Sequence, residues 1–154
     1  TKGDVPEELY EVPIGSAAVT RPGGDVTLVA YSRMAVEALA AAEQLAAEGI
    51  ECEVIDLRTV APLDIDAVVT SARKTNRIVV VHEAVRSGGL GAEIAAQVQE
   101  HAFDHLDAPV ARVGAPEAPI PFSPSLESAY LPDAARIAAE IRTTLHRPAP
   151  GATG

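Results

Sequence analysis

The sequence predicts an α/β fold, a three-layer α/β/α sandwich, on two observations. Short β-branched apolar runs alternate along the chain with longer stretches in which apolar residues recur at helical spacing. Turn-forming residues bound the short runs, as they do where strands end. Alternation of this kind builds βαβ units, which place parallel strands in one sheet and cover both of its faces with helices.

Four runs carry the strand reading: VTLVAY at 26–31, CEVIDL at 52–57, IVVVH at 78–82 and PVARV at 109–113. They are short and nearly continuous in apolar character, as strands buried on both faces are. AAVT at 17–20 adds a weaker edge strand. Helices fill the gaps. Over 33–48, Ala35, Ala38, Leu39, Ala42, Leu45 and Ala46 share a stripe, and Gly49 supplies the stop. The alanines there predict close approach of this helix to the sheet. Over 64–74 the stripe is Ile65, Val68, Val69 and Ala72, with Asp64 as N-cap. Over 91–105 it is Ile94, Ala95, Val98 and Ala102, and over 133–146 it is Ala134, Ile137, Ile141 and Leu145, opened by a Pro-Asp pair. Residues 1–16 read as an extended arm, 17–146 as the domain, and 147–154 as a frayed tail. The proline-rich stretch 114–130 is expected to wrap the surface as an extended strap.

At 154 residues the chain fits one domain with a real core. Its 22 acidic residues against 12 basic ones give a net charge of −10, which argues against a general nucleic-acid binder. No apolar run is long enough to span a membrane and no signal peptide is visible, so no membrane partner is expected. Cys52 is the single cysteine, which excludes an intrachain disulfide and a multi-cysteine metal site. The chain begins at Thr1 and its single methionine is Met34, so the expectation is a processed product or a piece of something longer.

Loops beyond the carboxyl ends of the strands are where such a sheet places chemistry. The stretch Arg86-Ser87-Gly88-Gly89-Leu90-Gly91 could cradle an anion at a helix start. Glu93 in the first turn and the missing third small residue favour a structural turn instead. His82 beside Glu83 could be acid/base machinery, but no nucleophile is paired with it. A polar pair hydrogen-bonding loop backbone or a neighbouring subunit is the simpler reading. Asp56 and Arg58, with Asp64 nearby, could bind an anionic substrate group or pair with each other, and pairing is favoured. His101 and His105 have chelating i, i+4 spacing without a third ligand, so surface histidines are expected. Cys52 reads as a small core residue. On residues alone, no catalytic, cofactor or metal site is assigned.

The order VAY, EVIDLRT, PLD, VVHEA, GGLGAEI, APVARVGA and YLPD resembles the carboxyl-terminal half of the β subunit of 2-oxo acid dehydrogenase E1 components. These are thiamin-diphosphate decarboxylases of the pyruvate and branched-chain complexes, and the domain is similar to the transketolase C-terminal class. The arm segments VPEE and VPIG also fit, so the likeness runs over about residues 3–146. The resemblance implies a mixed five-stranded sheet whose first strand, 17–20, is an antiparallel edge. It implies that thiamin diphosphate and magnesium belong to the intact enzyme, at a pyrimidine-binding domain outside this sequence, and that this fragment alone is inactive. It implies three partners: an E1 α subunit, a second E1 β subunit and the peripheral subunit-binding domain of E2. That E2 module is typically basic, which suits the acidic charge. Glu127 and Asp133, near the YLPD segment, are the expected contacts. His82-Glu83-Ala84 leans toward branched-chain-type subunits. Arginine outnumbers lysine and alanine is abundant, which points to a high-GC bacterial, cytoplasmic source. The competing readings are a nucleotide- or phosphate-binding doubly wound module using the Gly88–Gly91 loop, and the last domain of a transketolase or deoxyxylulose-phosphate synthase.

Overall fold

The computed structural model describes residues 7–146. The start of the arm, with Val5 and Pro6, and the tail 147–154 lie outside the described residues. Five strands form one sheet: β1 Ala18–Arg21, β2 Val26–Ala30, β3 Cys52–Asp56, β4 Ile78–Val85 and β5 Ala111–Ala115. Their order is β1-β3-β2-β4-β5. β2, β3, β4 and β5 run parallel to their neighbours and β1 pairs antiparallel with β3, so the sheet is mixed with one antiparallel edge.

Alternation along the central strands divides the core in two. Leu28, Val54, Val79, Val81 and Val113 face one layer, made by α1 (Arg33–Ala46) and α5 (Ala134–Thr144). Val29, Ile55, Ile78 and Val80 face the other, made by α2 (Ile65–Thr75) and α3 (Leu90–Ala102). Ala35, Ala38, Ala41 and Ala42 are buried in α1, the close seating their small side chains predict. Truncating Leu45, which is fully buried in this layer, would cost about 2–5 kcal/mol. Arg142 of α5 forks onto Glu48 just beyond α1, with Nε and Nη2 donating at 3.0 and 2.6 Å.

Helix ends follow the chemistry of their residues. Asp64 caps α2, its carboxylate accepting the Ala67 N–H at 3.1 Å, and Asp133 caps α5 by accepting the Arg136 N–H at 2.8 Å. Gly49 turns the chain with φ +74° after α1, and Asn76 takes the left-handed position after α2. The layer under α2 also holds a polar seam. Thr27 meets Ser71 and Thr75 at 2.5 and 2.7 Å, Ser71 donates to Glu53 at 2.5 Å, and Lys74 pairs with the same carboxylate. Glu53 is therefore buried with its oxygens satisfied.

Several boundaries differ from expectation. β4 runs on to Val85 rather than ending at His82, because it resumes pairing with β5 at Val85 and Ala115 after an irregularity past Val81. β5 starts at Ala111, two residues after Pro109, which has no N–H for the ladder. α3 stops at Ala102 and continues as a 3₁₀ turn, Phe103–His105. The strap is not extended throughout: Pro124–Tyr130 forms a short helix, α4. Proline is tolerated at a helix start, where its missing N–H has no intrahelical partner in any case.

Candidate functional site

The sheet delivers its chemistry-bearing residues to the carboxyl ends of β3 and β4. His82 lies in the part of β4 that packs beneath the start of α3, and it is fully buried. Three glycines make room for its ring. A Cβ at Gly91 would lie 2.4 Å from Nε2, one at Gly89 2.9 Å from Cε1, and one at Gly114 3.2 Å from Cε1. Neither ring nitrogen has a hydrogen-bond partner among the described residues. The Ala84 backbone lies close enough to favour the cation, but not in bonding geometry with either nitrogen. Burial, helped by the charges of Arg112 and Arg86, holds the imidazole pKa below its ordinary value, so the ring is neutral near pH 7.

This corrects the simpler reading of the His82-Glu83 pair: the imidazole is enclosed and bonds no loop backbone. Successive strand residues point to opposite faces, so Glu83 is not a partner of the ring. Glu83 is half-buried, and its charge adds to burial in raising the Tyr31 hydroxyl pKa. The glycine loop is accounted for in the same way. Gly88 supplies a turn at φ +69°, a Cβ at Gly89 would meet the Val85 carbonyl oxygen at 2.5 Å before the His82 ring, and one at Gly91 would meet the ring itself. Glu93 in the first turn of α3 accepts from Gln97 at 2.7 Å.

At the end of β3, Asp56 accepts the backbone N–H of Arg58 at 3.0 Å. The expected pairing of the two side chains does not form. Arg58 has φ 57°, and its guanidinium makes no ion pair among the described residues. The same rim holds the arm. Gly15 N–H donates to Thr59 Oγ1 at 3.0 Å and Ala17 N–H donates to Asp64 Oδ2 at 2.8 Å. Asp64 thus caps a helix and anchors the arm together.

Cys52 is buried, and its thiol is pushed up to about 12 by burial. His101 and His105 are exposed and lie on different elements, α3 and the 3₁₀ turn. No group of three His, Cys, Asp or Glu forms a metal site among the described residues. Glu127 is exposed on α4, and Asp133 is engaged in capping α5. Sequence reasoning passed over Tyr130 and Arg136, which fasten the strap. The Tyr130 hydroxyl donates to Ala118 O at 2.9 Å, and Arg136 donates to the carbonyls of Tyr130 and Gly114 at 3.3 and 3.2 Å.

These two segments expose large apolar side chains among carboxylates. Leu9 and Phe122 are fully exposed, Tyr10, Ile14, Ile120 and Leu126 are largely so and Val12 is 47% exposed, with Glu7, Glu8, Glu11, Glu117 and Glu127 exposed between them. Large apolar side chains concentrated on an arm and a strap mark a surface made for contact.

A family model described as the transketolase C-terminal domain matches residues 15–137. The chain belongs to the transketolase C-terminal domain family. This transketolase C-terminal domain is 47% identical, over 96% of its length, to the β subunit of acetoin:2,6-dichlorophenolindophenol oxidoreductase of Bacillus subtilis, covering 43% of that protein. It is 47% identical over 92% of its length to a pyruvate dehydrogenase E1 component β subunit of Staphylococcus epidermidis, covering 43% of it. It is 43% identical over 92% of its length to a 2-oxoisovalerate dehydrogenase β subunit of Pseudomonas aeruginosa, covering 39% of it. The chain therefore spans about two fifths of the length of these relatives. Among solved structures, a split-gene transketolase described as an inactive β4 tetramer matches with TM-score 0.77 and 33% identity, over 93% of this chain and 45% of that one. No helix among the described residues is long and apolar enough to cross a membrane.

Proposed function

We propose that this chain is the assembly domain of an E1 β subunit in a thiamin-diphosphate-dependent 2-oxo acid dehydrogenase, contributing subunit contacts and E2 docking rather than chemistry. The observation that carries the reading is the set of large apolar side chains left exposed on the arm and the strap, Leu9 and Phe122 above all. The partners are an E1 α subunit, a second E1 β subunit and the E2 peripheral subunit-binding domain, with Glu127 on α4 as an acidic contact and Asp133 beside it. The residues present do not fit thiamin diphosphate or magnesium. No three His, Cys, Asp or Glu side chains converge among the described residues, and Glu93 puts a carboxylate in the first turn of α3, where a diphosphate at the glycine loop would sit. That carboxylate also disfavours the nucleotide-module reading. Relatives named for acetoin, pyruvate and 2-oxoisovalerate lie at 43–47% identity, so the likeness is shared across these names and singles out none of them. The enzyme acts in the bacterial cytoplasm.

Sedimentation of the chain tests the assembly role. Self-association, or binding of an E2 subunit-binding domain that weakens with salt, is expected, as is its loss in a Leu9→Ser, Phe122→Ser variant. A monomer indifferent to both partners, or micromolar thiamin diphosphate binding by calorimetry, would overturn the reading.

A further inference from the structure

Three arginines stand together outside any ion pair among the described residues, in a strongly acidic chain. Arg86, Arg112 and Arg136 line one cleft of about 270 Å³, between the end of β4, strand β5 and helix α5. None of them forms an ion pair among the described residues. Arg112 donates to the carbonyl of Arg86 at 3.0 Å, and Arg136 donates to those of Gly114 and Tyr130 at 3.2 and 3.3 Å. Carbonyl anchoring of this kind fixes a guanidinium in place without neutralising it. Glu140 is the single carboxylate lining the cleft, which leaves it net positive. The uncompensated charge reaches the interior, since Arg112 and Arg86 both help keep the His82 ring deprotonated.

Guanidinium groups match the oxygen spacing of phosphate and can bind it in two-point fashion. Arg112 and Arg136 keep donors that no carbonyl takes, and the Arg86 guanidinium donates to no carbonyl among the described residues. The cleft falls below the usual range for drug-sized ligands, about 300–1,000 Å³. It suits a phosphate group with a small body, not a whole dinucleotide. We propose that the Arg86–Arg112–Arg136 cleft is an oxyanion site for a small phosphate-bearing molecule. None of the glycines at 88, 89 and 91 lines it, although Arg86 opens that loop, and it does not depend on the assembly reading.

The test is a titration of the isotopically labelled chain with inorganic phosphate and with pyrophosphate, followed by NMR, at an ionic strength held constant with sodium chloride. The expected result is saturable shifts confined to the signals of these arginines, Gly114 and the His82 ring. Arg86→Gln and Arg136→Gln should each weaken binding about ten-fold or more, the usual worth of a charge-assisted hydrogen bond. Glu140→Gln should tighten it, and Arg33→Gln, at the start of α1 and outside the cleft lining, should leave it unchanged. Arg86 is exposed, so its variant keeps the fold. Shifts that do not saturate, spread over the surface, or persist in both arginine variants would overturn the proposal.

Discussion

The Asp64 carboxylate holds the backbone of Ala17, its Oδ2 accepting that N–H at 2.8 Å while its Oδ1 accepts the Ala67 N–H at 3.1 Å. One side chain therefore starts α2 and pins the chain where the arm enters β1. Asp64→Ala should lose both functions and destabilise the fold by about 2 kcal/mol, a helix cap plus a charge-assisted bond. Urea unfolding measures the total. Hydrogen exchange at Ala17 should accelerate more than at residues of β2, and equal acceleration would show that the anchor has no local role.

His82 makes stability depend on pH in a definite direction. Its folded-state pKa lies below the ordinary value of 6.5, so the unfolded chain binds the proton more readily. Stability on this account is full above the unfolded value, is lost as pH falls from there toward the folded value, and levels off below it. His82→Leu removes the titrating group. Urea midpoints of the parent chain and the variant, compared from about pH 7.5 to about pH 5, should diverge as pH falls, the parent losing more. Parallel curves would mean that the ring is not held neutral.

The glycine at the head of α3 is set by the same ring. Gly91→Ala places a methyl group 2.4 Å from His82 Nε2. It should cost about 1–3 kcal/mol, the usual range for overpacking. Combining it with His82→Ala should recover part of that loss, because the two changes share one space. Strict additivity in thermal melts would rule out the contact as the cause.

Cys52 should be inert in the native state. Burial pushes its thiol up to about 12, leaving almost no thiolate at neutral pH. A disulfide reagent should modify it only at the rate of unfolding, and rapid labelling of the folded chain would contradict its burial.

Much of the framework could be read from local pattern, because the interactions that build it are local. The β-branched runs became strands, and Asp64, Asp133 and Gly49 mark helix ends through bonds or dihedral angles within a few residues. What escaped depends on partners distant in the chain. The enclosure of His82 needs Gly114, 32 residues on, as well as Gly89 and Gly91. The burial of Glu53 in β3 needs Ser71 and Lys74, 18 and 21 residues on, to meet its carboxylate. Arg58 follows Asp56 so closely that pairing looked natural, but its left-handed backbone sends only the N–H to that carboxylate. The prolines of the strap hid α4 because a helix start and an extended segment both accept proline.

The distribution of tyrosines turns these surfaces into separable optical signals. The chain has no tryptophan and three tyrosines. Tyr10 stands exposed on the arm, Tyr31 follows β2 near Glu83, and Tyr130 is buried with its hydroxyl tied to the strap. Near-ultraviolet absorbance and fluorescence of the unmodified chain thus arise from one chromophore at each place. A partner that covers the arm perturbs Tyr10, and one that lifts the strap frees Tyr130. Phenylalanine replacements at two of the three would leave a single emitter to report which surface a partner has engaged.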